Sequence, residues 1–222
     1  MHAYTRWALG TALLLGAACS PRDAAVKTTT ADGESSRSAS GDAAAARDHS
    51  MIRVVNAVTN GPPMTLLADE QTLFDNVRAS EVTPFKEMDD NAVKFSVRRS
   101  DQPTATGQAV NREMMGDGQR YTAVVLQGEN GGDGTLRLLH DELTPAAGMA
   151  SIRVIHAAPG TGEVDVVLSG REGDLFSGIN YGNEGGYTDI NPTMATLEVR
   201  RKNEKLQLVS IKDMKMEAGV AY

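Results

Sequence analysis

The chain has 222 residues, room for one large domain or two small ones. It carries 22 basic against 29 acidic side chains, a formal net charge of −7, which argues against a nucleic-acid binder because phosphate neutralisation needs a basic face. One cysteine excludes an intramolecular disulfide framework, a cysteine-rich zinc site and a C-x-x-C redox pair.

Residues 1–18 read as an export signal. A short basic region ends at Arg6, an uncharged apolar run follows from Trp7 to Leu15, and Gly16-Ala17-Ala18 precede the lone Cys19. The apolar run is far shorter than the roughly 20 residues that span a bilayer. Leu15-Gly16-Ala17-Ala18-Cys19 resembles a bacterial lipobox. That resemblance implies thioether attachment of diacylglycerol at Cys19, cleavage before it and acylation of the freed amine. At about 0.8 kcal/mol per buried methylene, two or more chains hold a protein firmly to a membrane. Ser20 after the cysteine resembles the outer-membrane sorting preference.

From residue 19 to 50 the composition shifts to Ala, Ser, Thr and mixed charge, with Val26 the only sizeable apolar side chain after Cys19. Such a segment has nothing to offset the entropy of ordering, so a disordered tether is expected.

Past Met51 the pattern becomes short apolar runs punctuated by Gly, Pro, Asn and Asp: Ile52–Ala57, Met64–Ala68, Val93–Arg99, Tyr121–Gln127 and Thr135–His140. Val164, Val166 and Leu168 alternate with polar neighbours, the period of a half-buried strand. No stretch sustains helical periodicity over three turns. The expected class is all-β, built as two tandem Ig-like or transthyretin-like β-sandwich domains.

The duplication is visible directly. Ile52-Arg53-Val54-Val55-Asn56-Ala57 returns as Ile152-Arg153-Val154-Ile155-His156-Ala157. Met64-Thr65-Leu66-Leu67 answers to Val164-Asp165-Val166-Val167, and Phe85 to Tyr187. Phe95-Ser96-Val97-Arg98-Arg99 answers to Leu197-Glu198-Val199-Arg200-Arg201. The offset drifts only from 100 to 102, a spacing the size of one sandwich. Copy 1 is placed at 51–146 and copy 2 at 150–222, joined around Leu143–Ala150.

Arg153-Val154-Ile155-His156-Ala157-Ala158-Pro159, then Glu163-Val164-Asp165-Val166-Val167, then Tyr181-Gly182 resemble the bacterial domain-of-unknown-function family 4397. Its pattern runs R-V-x-H/N-A-(S)-P-x-x-P-x-V-D-V, with F/Y-G further on. Copy 1 departs from it, with Thr59 for the proline and Thr65 for the aspartate. The resemblance implies an exported or lipid-anchored β-sandwich with no assigned activity, and it brings no catalytic residues to carry over.

Copy 2 is expected to be truncated. Gly219-Val220-Ala221-Tyr222 reaches the point at which copy 1 enters Tyr121–Val125, so roughly two strands of a sandwich are unaccounted for. Two explanations stand open: an incomplete sequence, or a terminus whose sheet is completed by copy 1 or by another chain.

Few residues point to chemistry. The four histidines, His2, His49, His140 and His156, show no metal-ligand spacing, and His156 is expected to have a structural or surface role. Glu129–Gly134 and Asn183–Gly186 read as hairpin loops, where Asn-Gly and Asp-Gly are ordinary turn chemistry. The carboxylates Asp89, Asp90, Asp165 and Asp189 have no visible partners, and the mature chain has no Trp to stack on sugars. The repeated Arg98, Arg99, Arg200 and Arg201, with Arg53 and Arg153, form the one set that would suit paired anion contacts.

The expected protein is therefore not an enzyme and needs no metal or cofactor. It is expected to be a non-catalytic lipoprotein of the bacterial cell envelope, anchored through Cys19 at the outer membrane. Its modules would face an unknown envelope or extracellular protein, and not nucleic acid. The alternative is a lipoprotein holding a small anion or glycan between its modules, with the duplicated arginines as contacts.

Overall fold

In a computed structural model of the chain the described residues are 49–89, 92–105, 107–128, 134–204 and 206–222. The expected signal peptide, Cys19 and nearly all of the tether lie outside them. The described residues form strands and turns with no helix, and hence none long and apolar enough to cross a membrane.

Copy 1 contributes β1 (His49–Asn56), β2 (Met64–Ala68), β3 (Gln71–Val77), β4 (Lys86–Asp89), β5 (Ala92–Arg99), β6 (Gln108–Met114), β7 (Arg120–Leu126) and β8 (Thr135–His140). They make two four-stranded sheets, ordered β4-β1-β7-β8 and β3-β2-β5-β6. Copy 2 contributes β9 (Ala150–Ile152), β10 (Val164–Leu168), β11 (Phe176–Ile179), β12 (Thr188–Ile190), β13 (Thr193–Arg201) and β14 (Gln207–Met216). These pair as β11-β10-β13-β14 and β12-β9. The all-β, sandwich-like class expected from alternation is what the chain adopts.

Alternation explains the cores. In β1, Ser50, Ile52, Val54 and Asn56 are buried while Met51, Arg53 and Val55 are half-buried. Ile52 and Val54 pack with Ala123, Val125, Leu66, Phe95 and Val97 in the core of copy 1. Val164, Val166 and Leu168 do the same for copy 2, against Ala150, Ile152, Phe176 and Leu197.

The strand register repeats between copies. Met64, Thr65 and Leu66 lie opposite Arg99, Arg98 and Val97, and Val164, Asp165 and Val166 lie opposite Arg201, Arg200 and Val199. β1 pairs in parallel with β7, and in copy 2 Ser151 meets Ala221 in the same sense.

One expectation fails. Asn183–Gly186 is not a hairpin loop but runs antiparallel beside Val154–His156, with Ile155 bridging Glu184 and two backbone bonds, His156 N to Asn183 O and Gly185 N to Val154 O. Copy 1 does the same where Val55 bridges Val82. Glycine and asparagine marked a change of direction correctly, but backbone pairing with a distant strand is a tertiary effect that turn chemistry does not encode. Of the other loop, residues 129–133 lie outside the described residues, while β7 and β8 on either side of it pair antiparallel.

β7 has no solvent face over most of its length: Thr122, Ala123, Val124, Val125 and Leu126 are all buried. Ala123 and Val125 enter the core of copy 1. Val124 and Leu126, with Leu139 of β8, pack against Ile155, Ala157 and Tyr181 of copy 2. The two copies thus share one strand's two faces.

Candidate functional site

One pair of the charged side chains that the repeat preserves, Arg53 and Arg153, meets at this junction. Asp141 follows β8 and its carboxylate has no solvent exposure. Its Oδ1 accepts a hydrogen bond from Arg153 Nη2. Its Oδ2 accepts one from Thr122 Oγ1 at 2.6 Å and lies 3.8 Å from Arg53 Nη2. Arg53 Nε donates to Thr122 Oγ1 at 2.9 Å, and Arg153 Nη1 donates to His140 O at 2.9 Å. Each arginine also lies over its own copy's aromatic ring, Arg53 at 4.8 Å from the Phe85 centroid and Arg153 at 4.6 Å from that of Tyr187. A buried carboxylate needs such partners to remain charged in a low-dielectric setting. Two equivalent arginines, one per copy, supply them.

Burial pushes the phenols of Tyr187 and Tyr181 above their ordinary pKa. Tyr181 Oη donates across the junction to Gln127 O at 2.7 Å. Gly182, the next residue, has a φ of +77° that an L side chain rarely adopts, and its N–H closes onto His156 O at 2.8 Å. The Tyr-Gly pair therefore turns the chain while docking copy 2 on copy 1.

His156 is buried and structural. Ala158 N donates to its Nδ1 at 3.3 Å, and its Nε2 lies 2.8 Å from Gly162 O and 3.0 Å from Thr161 Oγ1. These partners assign the Nε2–H tautomer. Asn56 performs the same task in copy 1: Val58 N donates to its Oδ1 at 3.0 Å and its Nδ2 donates to Val77 O at 2.9 Å. Imidazole and amide are interchangeable here because each offers one acceptor and one donor.

The four expected anion-binding arginines lie on two different sheets, one pair in each copy. Arg99 makes a bidentate contact with Asp101, at 3.0 and 2.8 Å, and this bond draws the Asp101 carboxyl below its usual range. Arg200 is held by Glu198, at 3.1 and 2.6 Å. Arg201 donates to Thr161 O at 3.1 Å and meets Glu204 at 3.5 Å. Arg98 differs from all three. Its Nε is the one buried side-chain nitrogen or oxygen among the described residues without a hydrogen-bond partner.

The carboxylates considered for catalysis are engaged elsewhere. Asp89 pairs with His49 at 3.6 Å, Asp165 accepts from Ser177 Oγ and Gly178 N, and Asp189 accepts from Ala146 N. Asp90 lies outside the described residues. Among the described residues no three His, Cys, Asp or Glu side chains form a metal-binding group.

Sequence reading missed Asp141, which stands alone between β8 and the linker and declares itself only through partners 12 residues and more away. No curated protein matches the chain. A family match covers residues 50–167 and again 150–222, two tandem segments described as Domain of unknown function (DUF4397). Those segments span most of the chain and overlap over residues 150–167, so the chain belongs to the DUF4397 family.

Proposed function

We propose that the protein is a non-catalytic lipoprotein of the bacterial cell envelope. Acyl chains on Cys19 hold it, at the outer membrane, and its joined β-sandwiches are presented on a tether to an envelope or extracellular protein. The observation that carries this reading is the use made of one repeated pair, Arg53 and Arg153, on a single buried carboxylate. Arg53, Arg153 and Asp141 tie one copy to the other, with Glu184 adding a contact to Arg153 at 3.4 Å. Residues spent on joining modules serve a body that displays loops and sheet faces. The acidic net charge of −7 gives no electrostatic attraction to anionic lipid, so the lipid must supply the attachment.

The intact mass of protein extracted in detergent from its host tests the proposal. A chain beginning at Cys19 with added acyl mass, lost together with detergent-phase partitioning in Cys19→Ala, is the expected result. An unmodified mass overturns the anchor.

A further inference from the structure

The contrast between Arg98 and Arg200 has a chemical meaning. Both occupy the same register position, each in the equivalent sheet of its own copy. Beside Arg200 stand two acids, Glu198 two residues earlier on its strand and Asp165 directly opposite. Beside Arg98 stand Ser96 and Thr65, neither of which carries charge. Copy 1 has moved its carboxylate one strand further off: Thr65 Oγ1 donates to Asp75 Oδ1 at 2.7 Å, whereas in copy 2 Ser177 Oγ donates to Asp165 Oδ1 at 2.9 Å. Donor and acceptor have changed strands. A strand spacing of about 4.8 Å separates the arginine from the acid it would otherwise meet.

Arg98 also lines a cavity of about 370 Å³. Leu67, Ser96, Glu70 and Thr104 line it, and Lys94 and Arg98 bring positive charge. Gly107, also in its lining, lies so close to β5 that a Cβ there would fall 2.7 Å from Val97 O. Lys94 is exposed and forms no ion pair among the described residues; in copy 2 its position is taken by Thr196. The size lies within the range of small-molecule sites. Arg98, unlike Arg200, is held by no carboxylate among the described residues, so its charge is left for the cavity.

We infer that this cavity binds a small hydroxylated molecule bearing an oxyanion, a sugar acid or sugar phosphate. The oxyanion meets Arg98 and Lys94, and its hydroxyls meet Ser96, Thr104 and the Glu70 carboxylate. A guanidinium and an ammonium lining one cavity favour a carboxylate or phosphate monoester, and the acceptor at Glu70 favours a ligand with hydroxyl donors over a bare ion. The site belongs to copy 1 alone and is independent of the lipid anchor.

Isothermal titration of the full chain in detergent, with glucuronate, glucose 6-phosphate and glucose as probes, decides it. Saturable binding of one equivalent of either acid, with no binding of glucose, is expected; which acid binds identifies the oxyanion. Lys94→Gln, an exposed change, weakens binding about tenfold. Ser96→Glu, which installs the carboxylate of copy 2 beside Arg98, abolishes it, and Arg200→Gln leaves it unchanged. Absence of saturable binding by both acids, equal binding of glucose, wild-type affinity in both copy 1 variants, or equal loss in Arg200→Gln overturns the inference.

Discussion

The two copies solve the same local problems with different residues. Asn56 and His156 both fasten the chain leaving the first strand of the repeat. Ser80, with a φ of +64°, and Gly182 make the same left-handed turn, and their N–H groups close onto Asn56 O and His156 O. Thr65 with Asp75 and Asp165 with Ser177 make the same hydroxyl–carboxylate bond in opposite directions. Where the copies diverge without replacement, the difference carries consequences. Copy 2 has Tyr181 to dock with, where copy 1 has Ala79. Copy 1 has an unneutralised Arg98, where copy 2 has a closed ion pair. Duplication provides an internal control, in which shared features report the fold and unshared ones report what each copy does.

The sharpest way to break the symmetry is at the one carboxylate both copies use. Asp141→Asn is expected to cost about 3–5 kcal/mol by denaturant titration, the range for breaking a buried ion pair. Arg153→Ala should exceed Arg53→Ala, because the Arg153 side chain is 6% exposed and that of Arg53 31%. Equal costs would mean that the copies contribute evenly to the tie. Next in size, His156→Ala removes a buried acceptor and donor and should cost about 1–3 kcal/mol. His156→Asn should recover a large part of that, because asparagine does this work at position 56; if it recovers nothing, the two positions are not equivalent. Tyr181→Phe keeps the ring against β7 and deletes one hydrogen bond across the junction, an expected loss of about 1 kcal/mol.

The smallest effect is one of pH. Burial raises the pKa of Tyr181 and Tyr187, so the folded chain favours the neutral phenols. Their contribution is complete below about pH 10, where unfolded tyrosines are still protonated, and is lost as pH rises through the raised values. Alkaline thermal melts should show that decline, and Tyr187→Phe should flatten it.

Much of this architecture is legible in the sequence because strands advertise themselves by alternation and a duplication advertises itself by register. Val164, Val166 and Leu168 alternate and are buried as alternation requires. That the register of Thr65 with Arg98 returns as Asp165 with Arg200 follows from the nearly constant offset, although the offset does not say which strands pair. What pattern reading misses depends on distant partners. The run Tyr121–Gln127 announces a strand, but not that Val124 and Leu126 face the other copy. Arg53 and Arg153 attract attention as a repeated pair, while the acid between them is not repeated and carries no signal. At Arg98 the informative residues are the neighbours that changed. Thr65 in place of aspartate is visible as a departure, but its effect on the arginine across the strand gap requires the sheet.

The parallel pairing of β1 with β7 places a delay in the assembly of the molecule. Arg53 and the Thr122 to which it bonds are 69 residues apart, and domains generally fold N-terminal first as the chain is delivered. β2 with β3 and β5 with β6 pair with strands adjacent or nearly so in sequence, whereas β1 must wait for a late arrival, the slow kind of contact. The strand that ends that wait is also the one whose outer face receives copy 2. The surface that receives the second repeat is therefore complete only once β7 is seated beside β1.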